Sequence, residues 1–535
     1  MTLQTQANAS EKPGYNTRWI GLVFISVCVV VIAIDNTVLN VALPTLSQAL
    51  NASASDLQWI VDAYVLVFAA LLLTTGTLSD RFGRKRMLLT GLVLFGVGST
   101  GAALANSTLT LILARGFLGI AGAMVLPSTL SIITTTFDGP ERLRAFSIWA
   151  SIFSLGFAVG PIIGGFLLQH GSWQLVFLVN LPVIAVAVIG GYRYLPESRD
   201  PHQAKFDFLG IILSAIGLFT LIYAIIEAGA RGWGDSTVLA GLAVAVVTLG
   251  IFAWWENHNP NAMLPLSVFK NRSFTAASLA VTLTVFALAG TGFFVSQYYQ
   301  TIRGYDTLTA GLALLPPALT FFFVSQQAVR ISKRFNAKQS IALGIGMTSL
   351  GMLIMALTFR LDTTYLETMI GQMFTWIGMA VAISPATNVI MSSVPRDKAG
   401  VGSAVNDTTR EVGGALGVAI LGAIMFASYR AGLQQLGTLL PQLSPEMLQE
   451  VASSIQGAHA IAATLPAEAA RVIVETANTA FVTGTNQAML IGAVIAGLGA
   501  ILVFVALPAN LVIQDETPEV EDIDIDVRSV AIAGD

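Results

Sequence analysis

Fourteen apolar runs, each long enough to cross a bilayer, follow one another along the 535 residues. A span needs about 20 mainly apolar residues. Breaks at charged residues place the runs at 18–43, 57–78, 87–105, 109–131, 144–168, 174–194, 207–228, 237–255, 273–298, 309–329, 339–358, 366–392, 400–427 and 484–507. Only 11% of the residues are charged, against about 25% in a soluble domain, so most of the surface must face lipid. Inside lipid a segment has to bond its own backbone groups, which makes each run a helix. The predicted fold class is an all-α polytopic membrane protein with 14 transmembrane helices.

Orientation follows from Lys and Arg, which concentrate on the cytoplasmic side. With the N-terminus inside, cytoplasmic segments hold 20 of the 27 basic residues and external segments hold 5, while Arg115 and Arg410 fall within spans. Both termini are therefore predicted to be cytoplasmic. The first run is too long for a signal-peptide core and carries Asp35, so it reads as a retained helix. Eight acids against one base between Asp515 and Asp535 make an acidic, solvated tail, which offers nothing to nucleic acid. The single cysteine, Cys28, excludes an internal disulfide and a cysteine metal site.

Internal organisation is legible in a faint echo. SDRFGRKR at 79–86 recurs as SKRFNAKQ at 332–339, each after the second helix of a six-helix set. This predicts two six-helix bundles with two inserted helices between them. The expected division is a cytoplasmic segment 1–17, a bundle 18–194, inserted helices 7 and 8 with their flanking loops in 195–272, a bundle 273–507, and the tail 508–535. Within the second bundle, 428–483 is a long external segment. It is either a tolerated loop insertion or, over Pro445–Glu468, an amphipathic helical hairpin.

Three motifs carry chemistry and a likeness. GTLSDRFGRKR (Gly76–Arg86) is a short charged hairpin between two spans; DNTVLNVALP (Asp35–Pro44) lies in the first span; GFAVGPIIGG (Gly156–Gly165) lies in the fifth. Together they resemble the major facilitator superfamily, in particular its fourteen-helix drug:proton antiporter branch, over most of 18–427. Gly76, Asp80, Arg81, Gly83, Arg84 and Lys85 match the superfamily's 2–3 loop, and Gly156, Gly160, Pro161, Gly164 and Gly165 match the antiporter motif of helix 5. Two departures stand out: Leu118 where Gln is usual after Arg115, and Trp173-Gln174 where Trp-Arg is usual.

Ionisable groups inside a bilayer cost about 2.5–3.5 kcal/mol each on insertion scales and mark function by default. The candidates for proton coupling and substrate binding are Asp35, Asp62, Arg115, Asp407, Arg410 and Glu411. Asp35 lies beyond the midplane of the first span. A desolvated carboxyl disfavours its charge, so it can load and release a proton. Arg115 needs a buried partner. Asp407 and Glu411 are one turn apart with Arg410 beside both. Either one acid pairs with Arg410 while the other titrates, or the three form a self-neutralised cluster. Asp62, near the outer end of the second span, resembles the acid of branch members that export lipophilic cations. Glu227, in inserted helix 7, reads as an interfacial acid. Asp80 could cap the N-terminus of a facing helix from the other half, where the helix dipole favours an anion. That latch would hold the outward-open state. The helix 5 glycines allow close packing and Pro161 adds a kink.

The resemblance implies a proton-coupled antiporter that exports amphipathic, cationic small molecules across a bacterial inner membrane by alternating access. It would act as a monomer, with no cofactor and no metal, driven by the proton gradient. Its partners would be lipophilic or cationic substrates, protons and membrane lipid. One alternative is an exporter of an endogenous metabolite or lipid on the same scaffold. The other is a membrane-embedded lipid-linked transferase, although the sequence has no Gly-x-x-x-x-Gly-Lys-Ser/Thr string, no His-Glu-x-x-His string and no histidine cluster.

Overall fold

A computed structural model describes residues 15–508 except 53, 201–206, 260–261 and 265. The expected cytoplasmic segment 1–17 and tail 508–535 lie almost wholly outside the described residues, as does part of the loop before helix 7. Fourteen described helices are long and apolar enough to span a membrane. They are α1 (Arg18–Leu50), α2 (Ala54–Phe82), α3 (Arg84–Ala103), α4 (Thr108–Thr136), α5 (Gly139–His170), α6 (Asn180–Tyr194, whose span is completed by the short helix Leu175–Leu178 before it), α7 (Phe208–Arg231), α8 (Ser236–His258), α9 (Arg272–Gln297), α10 (Thr307–Ser325), α11 (Ala337–Thr358), α12 (Tyr365–Ser392), α13 (Ala399–Gly432) and α14 (Ala467–Ala506).

The helices start where side chains can satisfy the free N–H groups of a first turn. Ser107 with Thr110, Asn336 with Gln339 and Thr364 with Glu367 form capping boxes, and Asp207, Asp235 and Asp306 cap α7, α8 and α10. Several helices outrun the sequence estimate because they continue past the lipid. Helix α1 reaches Leu50, and α14 begins at Ala467 rather than 484. Helix α10 is shorter than read: it stops at Ser325, and a separate turn, Ala328–Arg334, completes the run. Within 428–483, Pro445–Ser453 and Ile455–Ala462 are two short helices packed on each other, and the second also packs on α14.

The packing pattern repeats with an offset of eight. Helix α1 packs on α5 as α9 packs on α13, α2 on α4 as α10 on α12, and α3 on α4 as α11 on α12. Gly83 and Asn336, equivalent in the sequence echo, are both N-caps, of α3 and α11. The fold is therefore two six-helix bundles plus the inserted pair α7–α8. The bundles meet along α2–α13 and α5–α10. Helix α7 lies against α2 and α13, while α8 packs chiefly on α7 and exposes most of its surface.

Candidate functional site: a latch and two buried charge clusters

At the end of the molecule that carries the 79–86 loop, the seam is closed by backbone contact. A Cβ on Gly76 would stand 2.5 Å from the Gly400 carbonyl oxygen, so only glycine lets α2 and α13 approach this closely. Asp80, in the last turn of α2, accepts hydrogen bonds from the Gly400 N–H (2.8 Å) and the Val401 N–H (3.2 Å) at the start of α13. Arg84 donates to the same carboxylate at 2.6 Å and 2.9 Å, and to the Arg396 and Asp397 carbonyls, each at 2.9 Å. It is 2% exposed. One acid and one base thus tie the N-terminus of α13 to the other bundle. Beside them Arg142 donates to Asn388 (3.2 Å) and Ser392 (2.8 Å), and Arg396 pairs with Asp138.

The rest of the motif builds the latch without crossing the seam. Gly83 has φ +111°, and a Cβ there would meet the Glu197 carboxylate at 2.7 Å. That carboxylate accepts from the Lys85 and Arg86 backbone N–H groups at the start of α3. Lys85 reaches the Tyr192 carbonyl at 2.7 Å, and Arg81 lies over the Phe82 ring. Glu197 was not among the sequence candidates, because an acid in a loop between spans carries no signal of its own.

The first buried charge cluster lies within the first bundle. Asp35 and Arg115 are each 1% exposed and form an ion pair at 2.6 Å. Asn180 at the head of α6 donates to the other Asp35 oxygen (3.0 Å) and to Ser99 (3.3 Å). Arg115 Nε donates to the Ile60 carbonyl at 3.1 Å, and its guanidinium sits 4.5 Å from the Tyr64 ring centroid. The two charges read separately in sequence are thus partners. Asn180 and Ser99 complete their shell, a role that polar, uncharged residues in apolar runs do not advertise.

The second cluster lies on α13 at the seam. Asp407 is fully buried; Asn406 donates to one of its oxygens at 3.1 Å, and the other has no hydrogen-bond partner. Arg410 forms no ion pair among the described residues. Its guanidinium rests over Trp149 (5.0 Å) and Phe153 (5.2 Å) of α5 in the opposite bundle, and its Nη1 is unbonded. Trp149 is fixed by donating to Thr129 at 2.9 Å. Glu411, half-buried one turn beyond Asp407, has no bonded partner among the described residues either. Neither acid therefore pairs with Arg410 as read from the spacing: aromatic faces across the seam take the guanidinium instead.

Gly156, Gly160 and Gly164 face α1, where a Cβ would strike Ala33, Thr37 and Val38. Gly165 has open space around its Cβ position. Pro161 faces Gly311 of α10 across the seam. The motif therefore fixes α1 to α5 within one bundle and touches the other bundle through its proline. Asp62 and Glu227 stand apart from both clusters, in a cleft between α2 and α7.

The sequence model of the Major Facilitator Superfamily matches residues 25–418. The chain is 39% identical over 489 residues to the multidrug efflux pump LfrA of Mycolicibacterium smegmatis, covering 91% of this chain and 96% of that one. It is 31% identical to the tetracenomycin C resistance and export protein of Streptomyces glaucescens, over 90% of each chain. It is 30% identical to the methyl viologen resistance protein SmvA of Salmonella typhimurium, over 88% of this chain and 94% of that one. Among solved structures it resembles the proton:xylose symporter XylE, at TM-score 0.60 and 13% identity, covering 92% of this chain and 96% of that one.

Proposed function

Because the chain belongs to the major facilitator superfamily, whose relatives here are transporters and not enzymes, we propose that it is a proton-coupled exporter of amphipathic organic cations. Its relatives include named drug and antibiotic exporters, and methyl viologen, in the name of one of them, is an organic cation. The observation that carries the coupling is on α13: two acids without a salt-bridge partner among the described residues, one of them fully buried, beside an arginine held by the opposite bundle. A buried carboxyl with a free oxygen is stabilised by a proton and destabilised by ionisation. The Asp35–Arg115 pair, fully bonded, positions α1, α4 and α6; Asp407 and Glu411 carry the proton.

The bundles 18–194 and 273–507 move against each other in alternating access. The 20-to-5 bias of basic residues supports both termini and the latch being on the cytoplasmic side of a bacterial inner membrane. With the latch closed, the cavity faces outward. An external proton taken up by Asp407 or Glu411 removes the negative charge that holds the cation, the cation leaves, and the protonated site permits return. The chain itself supplies these steps as a monomer and needs no cofactor.

The test uses purified full-length protein in liposomes with an imposed pH gradient. Tetraphenylphosphonium is moved against its concentration gradient by the wild type and not by the double variant Asp407→Asn with Glu411→Gln. Undiminished gradient-driven transport by the double variant overturns the assignment.

A further inference from the structure

The cleft between α2 and α7 encloses about 300 Å³, within the range of small-ligand pockets. Trp59 of α2 and Tyr223 of α7 form one wall, their rings 6.3 Å apart and inclined at 25°. Phe219 stacks behind Tyr223 at 6.5 Å. Asp62, Glu227 and Arg231 supply the charge. Arg231 is held by Glu227, one turn away on its own helix, so those two cancel. Asp62 has no cationic partner among the described residues, which leaves the cleft with one uncompensated negative charge beside two aromatic faces. Two acids without a histidine or third carboxylate are a poor metal site. An aromatic wall with one free carboxylate is the environment that attracts an organic cation.

The floor of the cleft is closed. Asp62, Leu66 and Ala69 follow one another along a single face of α2. Leu66 and Ala69 pack with Ile222 of α7, against Val412 and Ala415 of α13. On its other side this apolar plug meets Val412, the residue that follows Glu411 on α13. The cleft opens at the end of α2 remote from the latch.

We propose that this cleft is a second binding site for a lipophilic aromatic or quaternary cation, built jointly by α2 and the inserted helix α7 and separated from the α13 acids by the Leu66–Ile222 plug. It gives the inserted helices a function beyond filling the groove between the bundles: α7 supplies half the site. The proposal rests on the exporter reading for the class of ligand, and on the cleft alone for its place.

The experiment measures equilibrium binding of tetraphenylphosphonium to the purified full-length protein, with thermal unfolding recorded for each variant. The wild type is expected to bind at two classes of site. Tyr223→Ala and Asp62→Asn each weaken one class about 10-fold, consistent with a desolvated cation–π contact. Tyr223→Phe, which keeps the ring, restores it, and Glu411→Gln leaves it unchanged. A single class of site in the wild type, or wild-type binding at both classes in Tyr223→Ala and Asp62→Asn, overturns the proposal. So does weakening by Tyr223→Ala that Tyr223→Phe reproduces in full. Cation binding in the cleft by a protein that moves no cation across liposomes would instead sink the exporter reading and leave the cleft standing.

Discussion

Replacing Asp80 with Asn tests whether the contact between α2 and α13 sets the conformational equilibrium. Four hydrogen bonds of the Asp80–Arg84 pair cross the seam: two from Gly400 and Val401 to the carboxylate, and two from Arg84 to the carbonyls of residues 396 and 397. The Arg84–Asp80 bonds stay within one bundle and exist in either state, so they do not count. An amide in place of the Asp80 carboxylate would still present one oxygen to one N–H. It would lose the second acceptor and the negative charge at the N-terminus of α13. A bond to a charged group contributes about 1.5–3 kcal/mol and a neutral one about 1, and a partly buried anion at a helix N-terminus adds up to about 2. We take a net loss of about 2 kcal/mol for the closed state, or about 30-fold in population at 1.4 kcal/mol per tenfold. The assay is distance measurement between spin labels on residues 82 and 393, in a background with the buried Cys28 replaced by Ser. A distribution dominated by the short, latched distance in the wild type should become mixed in Asp80→Asn. It should shift further in Asp80→Ala, which leaves the buried Arg84 charge without its carboxylate. An unchanged distribution in both variants, with normal unfolding temperatures, would refute the idea that this contact holds the seam.

Further expectations follow from the same geometry. Asp35→Asn strands the Arg115 charge and should destabilise the protein by about 3–5 kcal/mol; Asp35→Leu with Arg115→Met should recover most of that by thermal unfolding. Recovery of neither stability nor insertion would show that the pair does more than offset its own burial. Gly160→Ala drives a Cβ into Thr37 Oγ1 and should cost about 1–3 kcal/mol. Thr37→Ala should relieve part of it, whereas Gly165→Ala, with open space, should be silent. At the base of the inserted pair, Asp207 Oδ2 and Glu256 Oε1 lack partners, yet both lie within 2.6 Å of the Gly210 Cβ position. A proton shared between the two oxygens would satisfy both. Glu256→Gln, whose amide donates to Asp207 and whose oxygen still accepts from the Leu264 N–H, should be nearly neutral. Glu256→Ala should lower stability by about 1–3 kcal/mol, and equal losses in both would exclude the shared proton.

What the sequence showed and what it hid divide along a physical line. Spans were legible because lipid imposes length and apolarity on every one of them, and α8 to α14 fall within a few residues of their runs at most ends. Helix ends were not, because α1 and α14 continue for two or more turns beyond the hydrocarbon, where composition no longer constrains them. Glycines were legible as a motif but not as a contact. Nothing in GFAVGPIIGG says that Gly160 meets Thr37 within its own bundle while Pro161 meets Gly311 in the other. Charges were legible singly, since each is costly in lipid. Their partners were not, because Asp35 and Arg115 are 80 residues apart and Asn180 costs little enough to pass unnoticed. The misread pairing of Arg410 has the same origin. Spacing along α13 offered it two acids, and only the fold brings Trp149 and Phe153 to its face.

Under the proposed coupling, the arrangement on α13 would let one proton move a whole bundle. The N-terminus of this helix is bonded to Asp80, and its third and fourth turns carry Asp407, Arg410 and Glu411. From Gly400 to Glu411 is about 16 Å along a continuous helix at 1.5 Å per residue. A rigid helix needs no chain of side-chain rearrangements to connect its ends. Any tilt that relieves an ionised or vacated acid site at one level displaces the Gly400 and Val401 N–H groups at the other. The latch bonds are short and directional, so a displacement of an ångström forfeits them. On that proposal, charge at Asp407 or Glu411 and closure at Asp80 would be two readings of one helix position. The tie of Arg410 to Trp149 and Phe153 lies between them and would set the pivot of such a tilt. On this geometry, substitution of Trp149 by Leu should loosen the correlation between substrate-induced proton release and latch distance while leaving each measurable on its own. Retention of a tight correlation in that variant would move the pivot elsewhere on the seam.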